Sequence, residues 1–188
     1  MNFTRALILA SKSPRRQQLL KEAGYGFGIK TIDVEETYPD HLLIADVPSY
    51  LASKKAKALL PEINQEIVIA SDTIVVCDEQ VLGKPKDHQE ASKMLQLLSG
   101  RTHQVITGVC LLSKEKEITF SDTTAVTFKN LTQDEIDYYI ANYQPFDKAG
   151  SYGIQEWIGM IGITNISGSY FTVMGLPVHR LYEELDNF

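Results

Sequence analysis

Apolar and polar positions along this chain alternate with two periods, and the switches between them lay out the elements. The run Ala6-Leu7-Ile8-Leu9-Ala10 is short and wholly apolar, and predicts a buried first strand. Ser13-Pro14 then supplies an N-cap and a proline at the first helical position, and Leu19, Leu20 and Ala23 share a buried helical face before the Gly24 stop. A second helix follows Pro48-Ser49, with Leu51, Lys55, Ala58 and Leu59 at helical spacing. A strand of buried type runs from Ile67-Val68-Ile69-Ala70 through Ile74-Val75-Val76. Asp87 and Glu90 have the spacing of a capping box for a third helix that Ser99-Gly100 ends. Stretches 104–112 and 118–128 read as paired strands across the polar turn Ser113-Lys114-Glu115-Lys116. Thr132 and Glu135 repeat the capping-box signature, and a last helix opens at Pro177 with Val178, Leu181, Tyr182 and Leu185 on one face. The glycine-rich stretch 150–175 reads as loops around a short strand at 158–166.

Strands and helices thus alternate from end to end, with no internal repeat or low-complexity tract, which predicts an α/β fold. A length of 188 residues fits one domain, taken as 1–188, or two small lobes sharing a cleft. The composition, 44% hydrophobic and 22% charged, is that of an ordinary globular protein, and the apolar run at the N-terminus is too brief for a signal-peptide core or a membrane span. Cys77 and Cys110 sit in apolar strand-like runs, so they are expected as reduced core residues of a cytoplasmic protein. A net charge of -6 argues against a general affinity for nucleic acid, while a small phosphorylated ligand needs only a local cluster of cations.

Several residues are not explained by the fold pattern. In Ser11-Lys12-Ser13-Pro14-Arg15-Arg16, two arginines occupy the first turn of a helix, the end that already carries partial positive charge. Free amides, flanking hydroxyls and guanidinium groups there suit phosphate oxygens; the alternative is two arginines in solvent or paired with distant acids. Asp72 is a carboxylate within a buried strand, and burying it unpaired costs several kcal/mol, roughly. It is either a brace for a neighbouring loop or a metal ligand or general base. Lys54, Lys55 and Lys57 lie on the second helix, and Gly83-Lys84-Pro85 presents one ammonium rigidly; either set also reads as solvated surface. Glu35-Glu36 could bring a second carboxylate toward Asp72 for a hard cation, although acidic pairs after strands are common on surfaces. The segment Asp147-Lys148-Ala149-Gly150-Ser151-Tyr152-Gly153-Ile154-Gln155 is a structural loop or a binding loop, with Tyr152 able to pack or stack and Gln155 able to read a base edge. Gly168-Ser169-Tyr170 and Gly175-Leu176-Pro177 read as turn and helix-start chemistry without a catalytic role.

Taken in order, Ala10-Ser11-Lys12-Ser13-Pro14-Arg15-Arg16, Leu51-Ala52-Ser53-Lys54-Lys55-Ala56, Ser71-Asp72-Thr73, Gly83-Lys84-Pro85, Leu98-Ser99-Gly100-Arg101-Thr102-His103 and the segment from Asp147 to Gln155, followed by Gly168-Ser169-Tyr170 and Gly175-Leu176-Pro177, resemble the Maf family of nucleoside triphosphate pyrophosphatases over nearly the whole chain. The resemblance implies a mixed α/β fold with a long twisted sheet flanked by helices, two lobes and a central cleft, similar to the inosine triphosphatase architecture. It also implies a Mg²⁺ or Mn²⁺ cofactor, a cytoplasmic setting, a nucleoside triphosphate as substrate and, as often in the family, a homodimer; from charge and hydropathy neither nucleic acid nor membrane is expected as a partner. By the same resemblance Asp72 is the proton acceptor, Arg15, Thr73 and Gln155 bear on substrate choice, and Ser11, Arg16, Lys55 and Lys84 contact phosphate, with Glu36 and Asp72 on the metal. The glutamine-containing late motif is similar to the branch that hydrolyses dTTP and UTP. Two rivals stand beside this reading: a nucleotide-binding regulator of septum formation without turnover, and a nucleotidyltransferase, which would need a second acceptor substrate.

Overall fold

The computed structural model describes residues 5–188. In chain order the elements are β1, Leu7–Leu9; α1, Pro14–Glu22; β2, Phe27–Ile29; α2, Val47–Ala58; β3, Ile67–Cys77; β4, Gln80–Leu82; α3, His88–Leu98; β5, Thr102–Leu112; β6, Glu117–Phe128; α4, Gln133–Tyr143; α5, Trp157–Gly162; β7, Ile163–Ser167; α6, Tyr170–Met174; and α7, Val178–Asp186. The strands form one seven-stranded mixed sheet in the order β2-β1-β3-β5-β6-β7, with β4 paired to β3. The expected mixed α/β fold, a twisted sheet flanked by helices, is therefore the fold observed. Among the described residues no helix is long and apolar enough to cross a membrane.

Contacts divide the chain into two compact units. The first holds the chain up to Asp72, then Thr107–Asp122 and Gly175–Phe188. In it β1 pairs in parallel with β2 and with β3, with Leu7 opposite both Phe27 and Ile67. Parallel neighbours need a crossover, and α1 supplies the one between β1 and β2. Ala52, Ala56 and Leu59 pack with Ile63, Val68, Ala70, Cys110 and Leu112 in a buried cluster. Small alanines let α2 lie close to the strands, and Gly108 carries this furthest: a Cβ there would stand 2.1 Å from Ser49 N and 2.2 Å from Pro48 C.

The second unit comprises Thr73–Ile106 and Thr123–Met174. Here β3 turns back into β4 through Asp78 and Glu79, both with positive φ, 48° and 63°. Two left-handed residues are what a two-residue hairpin of this kind requires. Strand β7 pairs antiparallel with β6. The rings of His103, Phe128 and Tyr152 pack together, His103 stacked on Phe128 at 5.7 Å and Tyr152 edge-on to both.

Several local expectations change. Ser13 occupies the N-cap of α1 but its hydroxyl makes no cap bond, and Ala23 is only half buried. Pro14, which has no N–H to satisfy, opens the helix without a bond from the Ser13 hydroxyl. Asp87 does cap α3 by accepting from Glu90 N, yet Glu90 bonds back to Lys86 N at 2.7 Å, so the reciprocal half of the box falls one residue early. The box at Thr132 and Glu135 is complete. Stretch 158–162 is the body of helix α5, not strand, and the strand begins only at Ile163. On α7 Leu181 and Leu185 are buried, whereas Tyr182 is exposed. Cys77 and Cys110 are free and buried, as expected, and burial pushes the Cys110 thiol up to about 12.

Candidate active site

In the first unit the end of β1 leads to Ser11, which is buried and bonds to the chain that follows it: Ser13 N–H donates to its Oγ at 3.2 Å. The same Oγ accepts from Arg16 Nη1 at 3.5 Å, one turn into α1. Arg16 Nε donates to the carbonyl of Gly175 at 2.9 Å, and Ser71 Oγ donates to that carbonyl at 2.8 Å. Two donors on one backbone oxygen thus hold the arginine and the strand residue before Asp72 against the same point. Burial pulls the Arg16 guanidinium down from its usual range; Asp72 and Glu36 push it back up, and the adjacent Arg15 adds to the fall. A guanidinium starts so far above neutrality that it keeps its charge.

Asp72 is buried within β3, and its Oδ1 accepts from Lys55 Nζ on α2. The same ammonium lies 2.7 Å from Glu36 Oε1, on the loop after β2. Side-chain exposures of 18% for Lys55, 12% for Asp72 and 49% for Glu36 leave the group reachable from solvent on the glutamate side. The carboxylate that looked out of place in an apolar strand is thus compensated by a lysine 17 positions upstream. Two carboxylates converging on one cation position match the hard oxygen donors that Mg²⁺ or Mn²⁺ prefers. Among the described residues no cluster of three or more histidine, cysteine or acidic side chains gathers around a point. Two carboxylates alone fit a cation that keeps several waters and takes further oxygens from a phosphate.

The remaining sequence candidates lie in the second unit, beginning with half-buried Thr73 directly after Asp72. Lys84 is exposed in its Gly83-Lys84-Pro85 turn, and Gly83 O accepts from Gly150 N at 3.1 Å, which ties this turn to the loop from Asp147 to Gln155. That loop is a built structure. Ser151 sits at φ 62°, a left-handed value that costs a non-glycine residue on the order of 1 kcal/mol. Its hydroxyl bonds Met94 Sδ at 3.1 Å. Tyr152 packs, as one of the two sequence alternatives had it, and its hydroxyl pairs with His103 Nε2 at 2.7 Å. Burial lowers the His103 pKa to about 4 and raises that of Tyr152. Gln155 is exposed.

Sequence reasoning passed over three groups. Gly175 was read as turn chemistry alone, yet its carbonyl anchors Arg16 and Ser71. Glu156 and Tyr139 form a bond behind Gln155. A carboxylate flanked by Ile154, Trp157 and Ile158 was the available signal for Glu156.

A dTTP/UTP pyrophosphatase of Phocaeicola vulgatus is 55% identical over 181 residues, covering 95% of this chain and 94% of its own. One from Parabacteroides distasonis is 48% identical over 184 residues, covering 97% and 95%. The Ham1 protein of Staphylococcus aureus shares the fold, with a TM-score of 0.57 over 97% of this chain and 99% of its own, at 16% identity. A HAM1 protein of Coxiella burnetii does so at a TM-score of 0.51 and 16% identity, over 98% of this chain and all of its own. The family model described as Maf-like protein matches residues 6–188, and the chain belongs to that family.

Proposed function

We propose that this chain is a cytoplasmic, homodimeric nucleoside triphosphate pyrophosphatase that hydrolyses dTTP and UTP to the monophosphate and pyrophosphate. The observation that carries the reading is the convergence of Asp72 and Glu36 on Lys55 beside Arg16 and Ser11, in a chain whose relatives at 48 to 55% identity bear that name. Those names do not favour a regulator that binds nucleotide without turnover.

Asp72 receives the proton of the attacking water as the new oxygen–phosphorus bond forms at the α-phosphate; the bond to the bridging oxygen breaks opposite, and pyrophosphate leaves with that electron pair. Arg16 is braced on a backbone carbonyl, so its terminal nitrogens meet phosphate oxygens without first being ordered. Ser11 and Arg15 act at the same end of α1. Lys55 shifts part of its hydrogen bonding from the two carboxylates to phosphate oxygens. Glu36 and Asp72 would hold Mg²⁺ or Mn²⁺, which when bound polarises the α-phosphate and offsets triphosphate charge. Lys84 serves as a further phosphate donor, and Thr73 and Gln155 serve base choice, Gln155 through an amide that both donates and accepts.

The test is a pyrophosphate-release screen over natural triphosphates with excess Mg²⁺ and no added acceptor. Expected are turnover of dTTP and UTP ahead of purine nucleotides, stoichiometric monophosphate, and loss of activity on chelation with recovery on Mg²⁺ or Mn²⁺. Nucleotide binding without pyrophosphate release, or release only with a second acceptor, would overturn the reading in favour of a regulator or a transferase.

A further inference from the structure

Gln155 projects from a stretch of backbone that is fastened on both sides to one buried hub. Ahead of it, Gly153 N–H donates to Tyr139 Oη at 3.0 Å. Behind it, Glu156 accepts the Tyr139 hydroxyl proton at Oε2 and the Lys148 ammonium at Oε1, 3.1 Å away. Glu156 N–H returns to Gly153 O at 3.0 Å. Lys148 also reaches Asp147 Oδ1 at 2.7 Å. A Cβ on Gly153 would stand 2.7 Å from Glu156 Cδ, so the carboxylate lies directly against this backbone and leaves no room for a side chain there. Burial, reinforced by the Glu156 carboxylate, raises the Tyr139 pKa, so the hydroxyl keeps its proton and donates it to Glu156 while accepting from Gly153.

An ion pair with a tyrosine is an expensive way to fill a core, since apolar residues of the same volume commonly do as well or better. What apolar residues cannot do is hold the peptide N–H of Gly153. The neighbouring left-handed Ser151 likewise persists only where its surroundings over-determine it. An exposed amide needs such a frame to discriminate. A glutamine that stands at a variable distance from the base can settle on cytosine, with its amino donor, as well as on uracil or thymine, with a carbonyl at the same place, whereas one held at a fixed place meets only the pattern that fits there.

We propose that Glu156 and Tyr139 are positioning residues for substrate choice, fixing the backbone on either side of Gln155 and so the place and direction from which its side chain approaches the base. The inference rests on the reading of Gln155 as the residue facing the base.

Tyr139→Phe removes the hydroxyl and leaves the ion pair; Glu156→Gln keeps the shape and removes the charge. Thr132→Ala, which weakens the cap of α4 without touching the hub, controls for lost stability. The measurement is kcat and KM for UTP and CTP by pyrophosphate release, at a temperature where circular dichroism shows each protein folded. In Tyr139→Phe and Glu156→Gln the preference for UTP over CTP should fall about tenfold, roughly what one buried hydrogen bond is worth, with most of the change in KM for UTP. In Thr132→Ala the preference should stay. An unchanged preference in Tyr139→Phe, or an equal fall in Thr132→Ala, overturns the proposal; should Glu156→Gln fail to fold, Tyr139→Phe decides alone. Gln155→Ala separates the two levels. If it abolishes the preference while the hub variants keep it, only the positioning role fails; if it too keeps the preference, the reading of Gln155 fails and takes the positioning role with it.

Discussion

Each unit holds a lysine between two carboxylates. In the first, Lys55 lies between Asp72 and Glu36; in the second, Lys148 lies between Glu156 and Asp147. Side-chain exposure hardly separates them: 18%, 12% and 49% for the first trio against 8%, 19% and 59% for the second. The difference is in what the inner carboxylate does with its oxygens. Glu156 has one on Lys148 and the other on Tyr139, whose own acceptor is filled by Gly153 N–H. Asp72 gives Oδ1 to Lys55, an ammonium shared with the more exposed Glu36. A carboxylate engaged at both oxygens, one of them by a tyrosine that itself holds a backbone N–H, keeps a shape, whereas on the proposed function Asp72 exchanges its lysine for chemistry.

If that distinction is right, the two trios should fail in different observables. Lys148→Met leaves a largely buried carboxylate without its cation, a change that costs about 3–5 kcal/mol. For a protein of this size that lowers Tm by about 10 °C in a thermal melt, with residual turnover of UTP by the molecules that remain folded. Asp72→Asn should do the reverse. Pyrophosphate release from dTTP should fall by about a hundredfold or more, while Tm moves by only a few degrees. Turnover kept within a few-fold would remove Asp72 from the chemistry and erase the contrast.

A third, smaller effect sharpens the account of the second unit. His103 titrates near 4 in the folded protein because burial disfavours its cation, against an ordinary value of 6.5. The unfolded chain therefore binds the extra proton first as pH falls, and folding stability decreases from 6.5 downward, until both states are protonated below about 4. Between pH 6.5 and 5.5 the loss is about 1 kcal/mol, which urea titrations at the two pH values would resolve. His103→Gln should flatten that dependence.

How much of this was legible beforehand depends on whether a signal was local. The capping boxes, the proline start of α1 and the misfit of Asp72 in an apolar strand are read within a few residues. Strand β4 was not, because its turn uses Asp78-Glu79 in the left-handed region without the glycine or asparagine that announces such hairpins. Helix α5 was mistaken for strand because isoleucines and two glycines within Trp157–Gly162 speak against a helix. Packing overrides them: a Cβ at Gly159 would stand 1.9 Å from Ile154 O, so the helix is seated directly on the chain ahead of Gln155. The partners of Asp72 and Glu156 lie on other elements, and no spacing rule along one element pairs Lys55 with Asp72 or Tyr139 with Glu156.

The position of Lys55 bears on which anions the first unit retains. Asp72 and Glu36 set two negative charges against the three positive charges of Lys55, Arg16 and Arg15, so the group is only slightly cationic. A purely cationic pocket would hold phosphate, sulfate or spent pyrophosphate indiscriminately and be occupied by them at cellular concentrations. Near balance, a bare polyanion gains little on arrival, whereas one that brings its own divalent countercharge disturbs nothing. On the function proposed above, the bridging lysine would then act as a filter on the ionic form of the visitor, favouring a polyanion that carries its own divalent cation over one that does not.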